Sequence, residues 1–137
     1  MSRDRQYSEH AGIVVGDLLK RQRELKNITQ LNIANKMGYK NVNFVSQIEL
    51  SRSQLPILKI PDITAAYQFD PAFSLVFLKF LYPDYWVLFA KLMAVSKKSP
   101  LITESEDLDG QIDQLYTKTV KEFRINIGQL LEKKQVT

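Results

Sequence analysis

The chain has 137 residues, enough for one domain or for a small domain with an appendage, and 45% of them are hydrophobic, which argues against disorder throughout. It has no cysteine and a single histidine, which excludes disulfides, thiolate nucleophiles and metal sites built from cysteines or from several histidines. The net charge of +4 is unevenly spread, since residues 1–60 hold ten Lys/Arg against five Asp/Glu and residues 61–137 hold nine against ten. A phosphate-binding surface needs such a basic excess, although a solvated basic face has the same composition.

The first ten residues, MSRDRQYSEH, are too polar for a signal peptide. No apolar run approaches the length of a membrane span, because the longest, from Ala72 to Ala90, is interrupted by charged residues and a proline. We therefore expect a cytoplasmic protein that does not partner a membrane. Residues 1–9 are predicted to be a loose polar arm.

A first helix is predicted from Ala11 to Lys26. Its apolar residues recur at helical spacing, and basic residues line its other side. The apolar residues are Ile13, Val14, Leu18, Leu19 and Leu25, and the basic residues are Lys20, Arg21, Arg23 and Lys26.

The segment Thr29–Pro56 predicts two short helices, a tight turn between them and a polar loop after the second. Thr29 can cap the first helix, because a threonine oxygen accepts hydrogen bonds from the unpaired N–H groups at a helix start. Gly38 stands where a glycine in the left-handed region commonly ends a helix. Asn41 can cap the second helix.

The second helix of this pair is predicted from Asn41 to Leu50. Its apolar residues Val45 and Ile48 point one way, while amide and hydroxyl side chains lie elsewhere. Because Asn and Gln can pair bidentately with adenine, such a helix suits the DNA major groove. Phe44 has two interpretations, a core residue or an aromatic edge resting on a thymine methyl group.

The loop after that helix carries small polar side chains and one arginine, in the order Ser51, Arg52, Ser53 and Gln54. Such groups are natural phosphate contacts, which fix the position of a protein on DNA without distinguishing bases. Arg52 is the strongest candidate for a phosphate ligand. Lys40 in the turn and Lys59 beyond the loop are weaker candidates.

The segment resembles the lambda-repressor-like, Cro-type (XRE) helix-turn-helix family. The family pattern runs T-Q-x-x-L-A-x-x-x-G, a turn, then I-S-x-x-E-x-G and a proline. About a third of the chain takes part in the resemblance. The matching residues are Thr29, Gln30, Ile33, Ala34, Gly38, Val45, Ser46, Glu49 and Pro56.

The resemblance implies an all-α fold, with a five-helix lambda-repressor-like DNA-binding domain and an additional C-terminal helical extension. It also implies that the first helix packs on the helix-turn-helix with its basic side close to the DNA backbone. In the family, the position of Gln30 approaches a phosphate and braces the recognition helix, and the positions of Asn43 and Gln47 face the bases. Glu49 is expected to be structural and to pair with a nearby basic side chain.

Two departures from the family pattern are visible. The turn between Gly38 and Val45 is one residue longer than usual, and Ser51 replaces the glycine after the family's glutamate. The serine predicts a helix end without the left-handed glycine. The predicted DNA-binding residues are Gln30, Lys40, Asn41, Asn43, Phe44, Ser46, Gln47, Arg52 and Ser53.

Two further helices are predicted after the loop. One runs from Lys59 to Phe69, and the next begins with Asp70 as its cap and Pro71 in its first turn. The second is apolar on nearly every side, so something must bury it. The segment Tyr82–Trp86 breaks it, and Trp86–Met93 resumes it with aromatic residues that suit a core, a subunit contact or a ligand pocket.

Residues 96–137 are predicted to be a linker and then one amphipathic helix. The linker is Ser96–Glu104, and the helix begins at a capping box of Thr103 and Glu106 and spans residues 104–133. This helix either dimerises or packs on the core of its own protomer. Since the family usually works as dimers, the resemblance favours dimerisation, with residues 1–95 forming the DNA-binding domain.

The sequence predicts no cofactor, no metal site and no enzyme. It lacks a glycine-rich phosphate loop. Its paired carboxylates, between residues 104 and 113, are expected at the start of a helix rather than in a cleft. The predicted function is a sequence-specific, double-stranded-DNA-binding regulator, as a repressor, that binds a palindromic operator as a homodimer. The alternatives are an antitoxin, which uses the same scaffold and binds a protein partner, and a protein-interaction module without DNA binding.

Overall fold

In a computed structural model, the described residues are 6–96, 98 and 108–136. These residues form α-helices joined by turns and contain no strand, so the prediction of an all-α protein is confirmed. A 3₁₀ turn, Ile57–Lys59, precedes the fourth helix. The helices are α1 Glu9–Leu25, α2 Gln30–Lys36, α3 Asn43–Glu49, α4 Ile60–Ala66, α5 Phe73–Leu81, α6 Pro83–Ser96, α7 Leu108–Glu122 and α8 Ile127–Val136.

One apolar core holds the helices together. Helix α1 lies at its centre and packs on α3, α5 and α8. Leu18 and Leu19 of α1 are fully buried, as are Phe77 of α5 and the aromatic ring of Tyr82 at the α5–α6 break. Tyr82 also donates a hydrogen bond of 2.7 Å to the carbonyl of Leu55, so the break carries no unpaired buried hydroxyl.

The predicted signals at the start and end of α2 are confirmed. Thr29 Oγ1 accepts the N–H of Asn32 at 3.0 Å, and Asn32 Oδ1 accepts the N–H of Thr29 in return at 3.1 Å. This reciprocal pair is a capping box in which asparagine replaces the usual glutamate. Gly38 has a φ of 79°, in the left-handed region where glycine carries no side-chain penalty.

Five helices of the described chain are each followed by one residue in the left-handed conformation. The N–H of the next residue donates a hydrogen bond to the carbonyl five positions earlier in the chain. Glycine fills the left-handed position once, and other residues fill it four times. A left-handed conformation costs a non-glycine residue about 1–2 kcal/mol, so burial of the next side chain must offset it. After three of these residues an apolar side chain is buried, at Ile28, Phe69 and Ile125. The four non-glycine residues are Asn27, Ser51, Gln68 and Arg124.

The structure corrects several predicted helix boundaries, including that of α6, which begins at Pro83 rather than Trp86. Helix α3 begins at Asn43 rather than Asn41, because Asn41 Oδ1 accepts the N–H of Asn43 at 2.9 Å and shapes the turn before the helix. Helix α5 begins at Phe73, since Asp70 makes the equivalent bond to the N–H of Ala72 at 2.9 Å. Helix α4 ends at Ala66 rather than Phe69, since the left-handed residue Gln68 comes directly after its cap.

The single C-terminal helix predicted over 104–133 is wrong, because two helices occupy the described part of this range. Arg124 has a φ of 55°, and the N–H of Ile125 returns to the carbonyl of Val120 at 3.0 Å, which closes α7. Asn126 then caps α8 by accepting the N–H of Gln129 at 2.9 Å. The predicted linker, apart from Ser96 and Lys98, lies outside the described residues, as does the predicted capping box of Thr103 and Glu106.

Both C-terminal helices pack on the protomer's own core. Tyr116 of α7 stacks on Phe80 of α5 with ring centroids 3.9 Å apart. Lys79 of α5 binds Asp109 and Asp113 of α7 at 2.8 and 2.6 Å. This packing is one of the two alternatives that the amphipathic pattern allows, and dimerisation through the same segment stays a prediction.

Helices α5 and α6 meet at a bend of 118°. No single helix in the described ranges has both the length and the apolar character needed to cross a membrane. Helices α5 and α6 reach that length and apolar character only when the bent pair is counted together.

Candidate nucleic-acid interface

Helix α3 has a buried face and an exposed face. Val45, Ile48 and Glu49 are buried, with exposed fractions of 1%, 3% and 6%. Asn43 is exposed, and Ser46 and Gln47 are partly exposed. The three positions predicted to face bases or phosphates therefore lie on the side of α3 that is turned away from the core.

The buried carboxylate of Glu49 fixes α3 to three other parts of the fold. Its Oε2 accepts hydrogen bonds from Arg23 Nε at 2.8 Å and from Tyr67 Oη at 2.7 Å. Its Oε1 accepts from Arg23 Nη2 at 3.0 Å and from Gln30 Nε2 at 3.2 Å. These donors come from α1, from the start of α2 and from the residue after α4. The expectation that Glu49 pairs with a basic residue is confirmed.

Arg23 and Tyr67 keep the protonation states in which they donate hydrogen bonds to Glu49. The hydrogen bonds to Glu49 raise the pKa of the Arg23 guanidinium, so the arginine remains charged. Burial, together with the charge of Glu49, raises the pKa of the Tyr67 hydroxyl, so the tyrosine remains a donor. A buried carboxylate held by two charged and two neutral hydrogen bonds has its lone pairs satisfied.

Helices α1 and α3 approach each other closely at Gly16. A Cβ atom at this position would lie 2.8 Å from the carbonyl oxygens of both Ile48 and Glu49. Real Cβ atoms do not tolerate that distance, and backbone atoms cannot move aside as a flexible side chain can. Gly16 thus lets α1 support the end of α3. Its role was not predicted from the sequence, because nothing in the local pattern shows where two helices cross.

The turn before α3 carries two predicted residues at the surface. Lys40 and Asn41 are both exposed, and the side chain of Asn41 is already engaged with the backbone of Asn43. Phe44 is half-buried against Tyr39, with ring centroids 4.7 Å apart. This contact agrees with the interpretation of Phe44 as a core residue, although part of its ring stays exposed. Lys59 Nζ lies 5.9 Å from the centroid of the Tyr39 ring, on the same side of the turn.

The loop after α3 starts from a left-handed residue, Ser51, so the helix ends without a glycine as predicted, and the serine adopts the left-handed conformation instead. Its φ is 61°, and its hydroxyl donates a hydrogen bond of 3.1 Å to the carbonyl of Gly12. The N–H of Arg52 also donates a hydrogen bond of 2.8 Å to the carbonyl of Gln47. These two bonds hold Ser51 in a conformation that glycine usually adopts. The side chains of Arg52 and Ser53 are exposed beyond it.

Gln30 lies at the first position of α2 and is partly exposed. Its amide nitrogen is 3.2 Å from Glu49 Oε1, so it braces α3 as the resemblance implies. All nine predicted residues thus lie on α2, on α3 or on the turn and loop that flank α3.

The basic side of α1 differs from its expected arrangement. Arg23 is turned inward to Glu49. Arg21 binds Asp17 at 2.7 Å and the carbonyl of Phe123 at 3.0 Å, so it serves the fold and anchors the end of α7. Lys20 and Lys26 remain exposed. Glu49 is the one acidic residue between residues 27 and 59, and Arg23 neutralises it. The other charged residues in that range are all basic, namely Lys36, Lys40, Arg52 and Lys59.

No group of three or more acidic or histidine side chains in the described chain is placed to hold a metal ion. No protein-family model matches this chain, and no curated protein or solved structure matches it significantly.

Proposed function

We propose that this protein is a sequence-specific DNA-binding regulator of transcription, acting as a repressor, that binds a palindromic operator as a homodimer. Helix α3 lies in the major groove, with Asn43 and Gln47 facing base edges. Lys40, Arg52 and Ser53 contact phosphates on either side of the helix. Helices α1–α5 form the five-helix core of the lambda-repressor-like family, and the protein has no enzymatic activity of its own.

The observation that carries this proposal is the rigid presentation of α3. The helix is only seven residues long, too short to hold its shape alone in water. Its inner face is fixed by Val45, Ile48 and the Glu49 cluster, while its outer face carries amide and hydroxyl groups. A helix held so firmly, with polar groups aimed outward, suits base recognition, since a bidentate contact needs a fixed side-chain position.

Charge supports the same proposal. The exposed cations Lys36, Lys40 and Arg52 lie on or beside the helix pair, and the acidic residue within that pair is neutralised by Arg23. Such a surface attracts a polyanion, and binding would release counterions and weaken with salt.

Selection of bound duplexes from a random DNA pool, near physiological salt, tests the proposal. We expect enrichment of an inverted repeat, with half-sites about 34 Å apart or a multiple of that distance. A pool that stays random, with only weak binding that salt removes, would contradict sequence-specific recognition and would favour a protein partner. As a matched control, the Asn43→Ala, Gln47→Ala double variant should lose enrichment while keeping its fold.

A further inference from the structure

The last helix, α8, places a lysine at the end of α3. Lys134 Nζ lies 3.4 Å from the carbonyl oxygen of Leu50 and 3.3 Å from that of Ser51, where α3 passes into its following loop. Lys134 stands 84 residues beyond Leu50 in the chain, and it reaches this point because α8 packs on α1, which also packs on α3. The C-terminal segment therefore brings a positive charge to the loop that carries the proposed phosphate contacts.

The loop after α3 has two exposed cations beside it. Arg52 is exposed directly after Ser51, and Lys134 adds the second exposed cation at the carbonyl of Ser51 itself. The carboxylate of Glu9 meets the loop two residues after Arg52, where its Oε1 accepts from Gln54 Nε2 at 3.5 Å. Because the C-terminal end of a helix carries partial negative charge, a phosphate binds there only when cations offset it. Arg52 and Lys134 supply such cations at the end of α3.

The two carbonyls do not need Lys134 as a hydrogen-bond donor. Leu50 is exposed and Ser51 is partly exposed, so water can satisfy both carbonyls. An exposed contact of a long charged side chain adds little to the free energy of unfolding, because the side chain loses its freedom to move. Lysine is a compact charge on a flexible stem, so Lys134 can turn from a carbonyl to a phosphate oxygen when DNA binds.

We propose that Lys134 binds a phosphate in the same stretch of DNA backbone as Arg52, so that α8 forms part of the DNA-binding surface. The inference rests on the proposed function, in which α3 lies in the major groove and its following loop meets the backbone. It deepens that function by adding a contact from the C-terminal segment, for which the sequence indicates dimerisation or core packing. Because a phosphate carries no sequence information, Lys134 contributes affinity and salt dependence, and base discrimination stays with α3.

The first test measures the affinity of the full chain for a random-sequence duplex over a range of salt concentrations. Lys134→Gln removes the charge and keeps a side-chain donor for the two carbonyls. We expect its affinity to fall about 3- to 10-fold, because one charge-assisted hydrogen bond is lost. We also expect its salt slope to fall by about one, since one phosphate fewer is neutralised. Lys134→Arg keeps the charge and should keep the slope of the unchanged chain.

Lys91→Gln is the matched control for this charge removal. Lys91 is an exposed lysine on α6, a helix that packs mainly on α5 rather than on α2 or α3. The control should keep both the affinity and the salt slope of the unchanged chain. If Lys134 only caps α3, Lys134→Gln should unfold at a lower temperature than the control while its salt slope stays the same. A salt slope for Lys134→Gln equal to that of the control would overturn the proposal.

The second test uses the unchanged chain, so a fold defect cannot imitate its result. The protein is acetylated with an amine-selective reagent in the presence and absence of the random duplex, and mass spectrometry identifies the modified lysines. We expect the duplex to slow the acetylation of Lys134 at least about 3-fold, because an ammonium bound to a phosphate is held away from the reagent. The acetylation of Lys91 should not change. Equal rates for Lys134 with and without the duplex would overturn the phosphate contact.

These measurements separate the Lys134 contact from the proposed function. If the protein enriches an inverted repeat and Lys134→Gln behaves as the control, only the contact is wrong. If the salt slope falls as expected and no DNA sequence is enriched, the contact stands and sequence-specific recognition fails. A chain that binds no duplex at all would overturn both.

Discussion

The carboxylate of Glu49 is the group on which the position of α3 depends most. Replacing Glu49 with alanine leaves Arg23 facing a buried gap and removes a hydrogen-bond acceptor from Gln30 and Tyr67. Because removal of one partner from a buried ion pair is strongly destabilising, we expect Glu49→Ala to lower the free energy of unfolding by about 3 kcal/mol. Urea denaturation measures this change.

The matched control is Glu24→Ala on the exposed side of α1, which should change stability by less than about 0.5 kcal/mol. A loss below about 1 kcal/mol for Glu49→Ala would show that the cluster does not hold α3 as its geometry indicates.

Gly16 makes a second prediction at the scale of one residue. Gly16→Ala places a methyl group 2.8 Å from two backbone oxygens, so α1 and α3 must move apart. We expect a loss of about 1–3 kcal/mol in thermal or urea denaturation, together with weaker DNA binding, since α3 is displaced. Gly128→Ala is the control, because its new methyl group meets its nearest atom at 3.5 Å and alanine favours a helix. Equal stability of the two variants would refute the close approach.

Among single residues, sequence reasoning succeeds where the signal is local. Thr29 and Gly38 were predicted at the two ends of α2, because capping oxygens and left-handed glycines act within a few residues of their own position. Sequence reasoning fails where the orientation of a side chain depends on a contact with a residue far away in the chain. Arg23 has the sequence pattern of a solvent-facing cation, and only the fold turns it toward Glu49.

At the scale of whole helices, the existence of an element was easier to predict than its ends. Helix α1 lies within two residues of its predicted bounds, since its apolar spacing is regular. The break between α7 and α8 was missed, because its left-handed residue is Arg124 rather than a glycine. The burial of Ile125 in the core ends α7 there, and no local pattern reveals that burial.

The ion pair between α5 and α7 makes a prediction about pH. The hydrogen bond from Lys79, with a second from Trp86 Nε1, lowers the pKa of the Asp109 carboxyl below its ordinary value of 3.8. A carboxyl whose pKa is lower in the folded chain stabilises the fold above its unfolded pKa, and that contribution is lost as the pH falls through the folded pKa. The stabilisation should thus be complete at neutral pH and should fade below a pH of about 4.

Urea denaturation of the unchanged chain and of Asp109→Asn at several pH values tests whether the stabilisation from the Asp109 carboxyl fades in acid. The unchanged chain should be the more stable at neutral pH, and the difference should shrink in acid. Gln114→Ala on the exposed surface of α7, which changes no titratable group, should show no such trend. A difference between the unchanged chain and Asp109→Asn that stays constant with pH would contradict a role for the ionised carboxyl in joining α5 to α7.

For the molecule as a whole, the fold and the candidate interface depend on each other. Helices α1 and α2 and the residue after α4 meet α3 through one buried cluster, and the C-terminal helices pack over α1 and α5. Lys134 of α8 reaches the carbonyls of Leu50 and Ser51, at 3.4 and 3.3 Å, where α3 ends. The all-helical class was predictable from the spacing of apolar residues. The packing of α7 and α8 on their own protomer was one of two open alternatives, since an amphipathic pattern does not name its partner.

In the proposed function, the outer face of α3 distinguishes bases while its flanking loop binds phosphates. The most direct measurement is the affinity of Gln47→Ala and Arg52→Ala for a selected duplex and a random duplex, as a function of salt. Gln47→Ala should lose about 1–3 kcal/mol on the selected duplex and little on the random one. Arg52→Ala should weaken both alike and reduce the salt slope by about one. Equal losses on both duplexes for Gln47→Ala would contradict the assignment of α3 as the helix that recognises sequence.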